Sequence, residues 1–196
     1  MEDRTRRIIE TAIELAERDG FEAVRLRDVA RLAKVALGTV YRRFHSKEDI
    51  LVAALEHEVN LFINQPIEGF EGTSAEERVT HAFAMMTTWF CRKPHFGRAC
   101  LRAAASGVPE ISGKVTRFHD MMTNGLVSVM SGGEPVHRTT EEHYQFLAHT
   151  LQNIWFAELV GWAGGLHDEA TVISRMAKVS QFMLQAGSVR KVNSVA

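Results

Sequence analysis

Apolar residues recur at helical spacing along almost the whole chain, and this periodicity constrains the fold more than any other feature. In 5–19, Ile9, Ala12, Ile13 and Ala16 follow the i, i+3, i+4, i+7 rule, which lays one apolar stripe along a helix. The same pattern predicts helices over 27–33, 37–44 and 46–64. It returns over 74–92, 96–106, 109–131, 139–164 and 168–187. The valine and isoleucine clusters are short and sit within helical spacing, so no strand pair is expected. The predicted fold class is all-α.

Turn signals divide the pattern. Asp19-Gly20 ends the first helix, with glycine suited to a left-handed cap. Ser46, with Asp49 three residues on, forms a capping-box variant at the start of the fourth helix. The stretch "NQPIEGFEGTS", 64–74, holds Pro66, Gly69 and Gly72 and reads as a loop. "SGGEP" and "GGLHDE" separate the last three helices, and Asp168 is placed to cap the final one. The tail "GSVRKVNSVA" reads as frayed. These signals predict a helix-turn-helix domain over 1–48, a helical domain over 49–190 and a frayed tail over 191–196.

The formal net charge is −1, so any polyanion binding must come from local charge. The first residues carry charges but no apolar h-region, and no apolar run approaches the roughly 20 residues of a membrane helix. Cys91 and Cys100 form no CxxC pattern and are expected as reduced thiols. Together these features predict a cytoplasmic protein with no membrane partner.

Within 25–47 the charge is lopsided. Arg25, Arg27, Arg31, Lys34, Arg42, Arg43 and Lys47 face a single acid, Asp28, a local excess of 7 − 1 = +6. A basic run alone is most simply a solvated face. Here, however, it lies on two short helices joined by a tight turn, a pair that can set its second helix in a major groove. Ala30 is the small residue where the helices cross, and Val40 faces back from the second. The rest of "LGTVYRRF" points outward. Thr39 and Tyr41 can touch phosphates or base edges, and Arg42 and Arg43 can bind phosphate or guanine. Gly38 costs about 1 kcal/mol against alanine in a helix but lets the backbone approach DNA. Lys47 can reach a phosphate from the next helix.

"VARLAKVALGTVYRRFHSKEDIL" resembles the N-terminal signature of the TetR family of bacterial transcriptional repressors. The matching pieces are Ala30, Val35, Gly38-Thr39-Val40-Tyr41, Phe44, Lys47-Glu48 and Ile50-Leu51. The upstream "IIETAIELAERDGFEAVRLRDVA" resembles the family's first helix and Gly-Phe turn, so the likeness covers about residues 5–52. The resemblance implies an N-terminal three-helix DNA-binding domain and a larger C-terminal helical ligand-binding and dimerisation domain. It implies a homodimer whose recognition helices enter a roughly palindromic double-stranded operator. It places DNA contacts on Arg27, Leu37, Gly38, Thr39, Tyr41, Arg42, Arg43 and Lys47. Arg42 or Thr39 is expected to read bases, with Tyr41, Arg43 and Lys47 on phosphates. Two positions depart from the family pattern. Lys34 stands in the interhelical turn where glycine is frequent. Leu37 is apolar at a contact position and suits a thymine methyl.

The remaining chain holds seven of the eight methionines and all three tryptophans. Phe83, Met86 and Phe90 share a helical face, with Trp89 beside them. Phe118 and Met122 lie on another helix, and Leu151, Trp155 and Glu158 on a third. Such residues line adaptable apolar pockets, and equally they pack ordinary cores. By analogy with the family, some are expected to line the site of a hydrophobic small-molecule effector. Glu158 could receive a polar group of the ligand or face solvent. Ala157, Gly161 and Gly164 fall at i, i+4, i+7 and permit close helix approach, either between subunits or within one. The basic run Arg92, Lys93, Arg98 and Arg102 could hold a phosphorylated ligand or be a solvated surface. "SGGEP", "TEEHY" and "IWFAELVGW" resemble the C-terminal half of an actinobacterial cholesterol-catabolism repressor of the same family, which implies a steroid-like or fatty-acyl thioester ligand.

No GxSxG, Walker loop, GxGxxG or HExxH occurs, and the nine histidines are scattered. No catalytic residue, cofactor or metal site is expected. An enzyme is the least favoured reading, and a helical adaptor without DNA binding is the other alternative.

Overall fold

The computed structural model describes residues 3–63 and 72–192, all of them helix, turn or connecting loop. In chain order the helices are α1 (Asp3–Asp19), α2 (Leu26–Leu32), α3 (Leu37–Tyr41), α4 (Lys47–Ile63), α5 (Ala75–Cys91), α6 (Pro94–Ala104), α7 (Ser112–Ser131), α8 (Arg138–Ala163) and α9 (Glu169–Val192). Short 3-10 turns at Phe21–Ala23 and Pro109–Ile111 precede α2 and α7. The all-α expectation holds among the described residues. Residues 64–71 of the expected loop and 193–196 of the expected tail lie outside the described residues. Within that tail, α9 continues to Val192. The third helix is shorter than its 37–44 pattern, because the chain turns at Arg42 and Arg43 so that Ser46 can begin α4.

The chain groups into two compact units, Met1–Asn64 with Phe90–Phe118, and Gln65–Trp89 with His119–Ala196. In the first, α1 packs on both α4 and α6. Its stripe of Ile8, Ile9, Ala12, Ile13, Leu15 and Ala16 is buried, as its periodicity requires. Gly97 on α6 is required by packing: a Cβ there would lie 2.9 Å from the Phe90 ring. Glu17 of α1 accepts from the Phe96 backbone N–H at 2.9 Å, supplying one unfilled donor at the start of α6. Cys100 is fully enclosed, and burial pushes its thiol well above the usual range, so it is an inert packing residue. Cys91 and Cys100 are both free thiols.

The second unit is held by caps as well as by apolar packing. Ser74 and Glu77 form a reciprocal capping box at α5, with Glu77 N–H donating to Ser74 Oγ at 3.1 Å and Glu77 Oε2 accepting from Ser74 N–H at 3.3 Å. Asp168 caps α9 as predicted, accepting from Thr171 N–H at 2.9 Å. The Arg78 guanidinium donates to the carbonyls of Val129 and Met130 at 2.8 and 2.6 Å, closing the C-terminal end of α7. Helices α8 and α9 pack together. Trp155 of α8 lies 5.9 Å from Phe83 of α5, ring centre to ring centre. Its indole N–H donates to the buried Thr87 Oγ1 at 2.9 Å.

Candidate nucleic-acid interface

Helices α2 and α3 pack together, and the burial along them is one-sided. Val29, Ala30, Ala33, Val40 and Phe44 are buried, as their spacing predicts for the inner face. The opposite side of α3 is open: Leu37 is 42% exposed, Tyr41 is 51% exposed, and Gly38, Arg42 and Arg43 are exposed with them. Arg27 on α2 is exposed as well, and Thr39 is half-buried. A Cβ built on Gly38 meets nothing within 4 Å. Nothing inside the chain therefore calls for glycine there, and what the missing side chain leaves open is the outer approach to α3. Arg42 donates to Thr39 Oγ1 at 3.3 Å, so these two side chains occupy one spot on that face.

The turn between α2 and α3 explains the unusual Lys34. Its φ is +55°, the sole positive value at a non-glycine among the described residues. Val35 N–H donates to Ala30 O at 3.0 Å and Lys34 N–H to Arg31 O at 3.3 Å. This is the Schellman closure of a helix end, with lysine at the left-handed position where glycine is usual. Helix α8 ends with the same pair of bonds around Gly165 at φ +75°, and α7 around Gly132 at φ +68°.

Lys47 is engaged within the chain. Its ammonium lies 2.5 Å from Glu22 Oε2 and 4.2 Å from the centre of the Phe21 ring. Arg102 of α6 takes the other oxygen of Glu22 at 2.8 Å and lies 4.1 Å from the same ring. The hydrogen bond from Lys47, with the charges of both cations behind it, holds the exposed Glu22 carboxyl below the usual range. Sequence reasoning missed this cluster, because the partners are 25 and 80 residues apart along the chain (22 with 47 and with 102) and carry no periodic signal. It also missed Lys114 in α7, which pairs with the buried carboxylate of Asp49 and lies 4.9 Å from the Phe44 ring centre. Asp49 accepts in addition from His45 N–H at 2.9 Å, while its own N–H donates to Ser46 Oγ at 3.1 Å. The capping variant read from the sequence thus has a cation behind it, and three hydrogen bonds at Asp49 pin the joint between α3 and α4.

The residues expected to line an effector site fall in both units. Phe83, Met86, Met122, Leu151 and Trp155 are buried in the second unit, with Trp89 half-buried there. Phe90, against Gly97, and Phe118 belong to the first. Glu158 faces α9: its carboxylate is 2.8 Å from Arg175 and 3.2 Å from His167. Its charge is thereby engaged within the protein. The basic run is likewise partly engaged, with Lys93 held by Glu58 at 3.1 Å and Arg102 by Glu22. Of the small-residue stripe, Gly161 is covered by the chain's own His167, whose ring an added Cβ would meet. Ala157 and Gly164 are exposed on the single chain. Phe146, Val160, Leu166 and Phe182 are exposed on α8, α9 and the turn joining them. Among the described residues no helix is long and apolar enough to cross a membrane.

The comparisons with known proteins agree with this geometry. The family model for bacterial regulatory proteins of the tetR family matches residues 8–54. The model for the tetracyclin repressor-like C-terminal domain matches residues 72–181. The HTH-type transcriptional repressor KstR of Mycolicibacterium smegmatis is 30% identical over 161 residues, 82% of this chain and 76% of that protein. KstR of Rhodococcus jostii is 29% identical over 188 residues, 96% of this chain and 86% of that protein. Among solved structures, a TetR transcriptional regulator from Rhodococcus sp. RHA1 superposes with a TM-score of 0.82 at 22% identity, covering 94% of this chain and 97% of that one. The regulator FadR from Bacillus subtilis, solved with stearoyl-CoA, has a TM-score of 0.65 at 19% identity, covering 89% and 96%. These families and relatives are transcriptional regulators rather than enzymes. With both of its halves matched and its helix-turn-helix in place, the chain belongs to the TetR family of bacterial regulatory proteins.

Proposed function

We propose that this protein is a ligand-responsive transcriptional repressor that binds a palindromic operator as a homodimer and is released by a hydrophobic small molecule. The carrying observation is the outer face of α3, where Gly38 has open space, Leu37 and Tyr41 stand exposed, and two arginines flank them with no acid on the helix. A helix with so little to bury inside the chain is suited to a partner outside it. In this reading residues 1–48 read DNA and 49–190 bind ligand and dimerise. Arg42, Thr39 and Leu37 face bases, while Arg27, Tyr41, Arg43 and Lys47 face phosphates. The exposed apolar residues of α8 and α9, with Ala157 and Gly164, form the dimer surface. Phe83, Met86, Trp89, Met122, Leu151 and Trp155, all of the second unit, line the effector region. The effector class in this reading is a fatty-acyl or steroid-like thioester, and a FadR of the same fold was solved with stearoyl-CoA.

The direct test is an electrophoretic shift against the DNA upstream of the protein's own gene. A specific complex at moderate salt, competed by one inverted repeat, supports the reading. A folded dimer that distinguishes no sequence refutes it and favours an adaptor. A Phe182→Glu variant should shift the mass in sedimentation from dimer to monomer. A dimer unaffected by it removes α9 from the interface.

A further inference from the structure

Arg102 lies far along the chain from α2 and α3, yet the fold sets it beside the first residue of α4. It stands near the C-terminal end of α6, a helix with no acid in Pro94–Ala104. Three charged groups meet at the turn Phe21–Ala23, all within the first unit. Glu22 offers one carboxylate oxygen to Lys47 at 2.5 Å and the other to Arg102 at 2.8 Å. Both cations also lie over the Phe21 ring, 4.2 and 4.1 Å from its centre. Two cations from two helices therefore converge on one anionic group above an aromatic floor that attracts them both.

The occupant of this seat is the part most easily exchanged. The Glu22 side chain is 66% exposed, Arg102 60% and Lys47 28%, so an anion from solvent reaches both cations. Ion pairs this open to water are weak and screened by salt. The cations outnumber the carboxylate, so the seat stays electropositive with Glu22 in it and draws a further anion toward it. A phosphate is the stronger occupant. It brings more acceptor oxygens than a carboxylate, and the planar fork of an arginine meets two of them at once. Lys47 is already the cation assigned to a DNA phosphate in the proposed interface, and Arg102 points at the same anion.

We propose that Lys47 and Arg102 form one clamp for a backbone phosphate of duplex DNA, and that the Glu22 carboxylate holds the phosphate's place while DNA is absent. Arg102 is thereby a DNA contact supplied by α6, and Glu22 turns out to solvent when the phosphate enters. This rests on the reading of α3 as a recognition helix, which brings the duplex to Lys47. The rival account is that Arg102 acts only through Glu22, by drawing the carboxylate away from Lys47, and removing the charge of Glu22 separates the two. The test compares full-length Glu22→Gln with Glu22→Gln carrying Arg102→Gln, by fluorescence anisotropy of a labelled random-sequence duplex across a potassium chloride series. Such a duplex is bound through its phosphates. The expected result is binding weakened about threefold or more by Arg102→Gln at low salt, with the gap closing as salt rises. Arg92→Gln in the same background removes an exposed charge just before α6 and should weaken binding less. Equal binding with and without Arg102 overturns the clamp and leaves Arg102 acting through Glu22 alone. A gap that salt does not change overturns it also, since that marks a disturbed Phe21 turn, as does a loss matched by Arg92→Gln, which marks total charge. If even the wild type leaves the duplex unbound at low salt, the DNA-binding reading falls together with the clamp, an outcome distinct from binding that is indifferent to Arg102.

Discussion

Replacing Lys34 with glycine should make this protein more stable, although it removes a side chain and adds none. Lys34 holds φ +55° at the Schellman closure of α2, where α8 and α7 use Gly165 and Gly132. A residue with a Cβ in the left-handed region carries about 1–2 kcal/mol of strain, which glycine avoids. Glycine also widens the unfolded ensemble, which takes back about 0.4–1 kcal/mol. Lys34 is exposed, so no packing is lost. The net expectation for Lys34→Gly is a gain of about 0.5–1 kcal/mol, or about 1–4 °C in Tm for a chain of this length. Lys34→Ala is the control: it removes the same charge but keeps the strain, and should change stability little. Urea unfolding and thermal melts at one protein concentration measure both. The reasoning is refuted if Lys34→Gly is no more stable than Lys34→Ala.

Other perturbations separate the charges around the recognition element. Glu22→Gln should release Lys47 toward phosphate, tightening DNA binding about threefold to tenfold and steepening the slope of log K against log salt by about 1; weaker binding would mean that Glu22 positions Lys47 rather than restrains it. Arg43→Ala should weaken binding to every sequence and flatten that slope by about 1, and an unchanged slope would take Arg43 off the phosphates. Lys114→Met strands the buried Asp49 carboxylate and should cost about 3 kcal/mol in urea unfolding, with Asp49→Asn in the same chain recovering part of it. A loss under about 1 kcal/mol would show that the His45 N–H alone satisfies Asp49.

What could be read in the sequence was what repeats or sits close along the chain. The stripe of α1 fixes its buried face because 3.6 residues per turn brings Ile9, Ala12, Ile13 and Ala16 to one side of the helix. Ser46, Asp168 and Gly20 mark helix ends for the same local reason. The contacts that hold the recognition element were not legible. Lys114 reaches Asp49 over 65 residues, and Arg102 reaches Glu22 over 80, and each looks like any surface charge until the chain has folded. Lys47 shows how this alters a functional reading. As a sequence it is a lone cation at a helix start, whereas in the fold it already has a carboxylate partner that phosphate must displace. Glu158 followed the same course, from a candidate ligand contact to one member of an ion-pair cluster.

Gly38 and Lys34 are best understood together, because each departs from what helix stability alone would select. Alanine at Gly38 would strengthen α3 by about 1 kcal/mol and collide with nothing in the chain. Glycine at Lys34 would relieve a strained turn. Both changes are accessible and both would stabilise the monomer, so the retained residues point to a requirement outside it. At Gly38 that requirement is close backbone approach, which a methyl group would obstruct only when a partner is present. At Lys34 it is a positive charge in the turn that presents α3. The two predictions are therefore linked. Gly38→Ala and Lys34→Gly should each raise Tm while weakening DNA binding, Gly38→Ala through shape with an unchanged salt slope and Lys34→Gly through charge with a shallower one. A variant that gains stability and keeps full DNA affinity would break that link at its position.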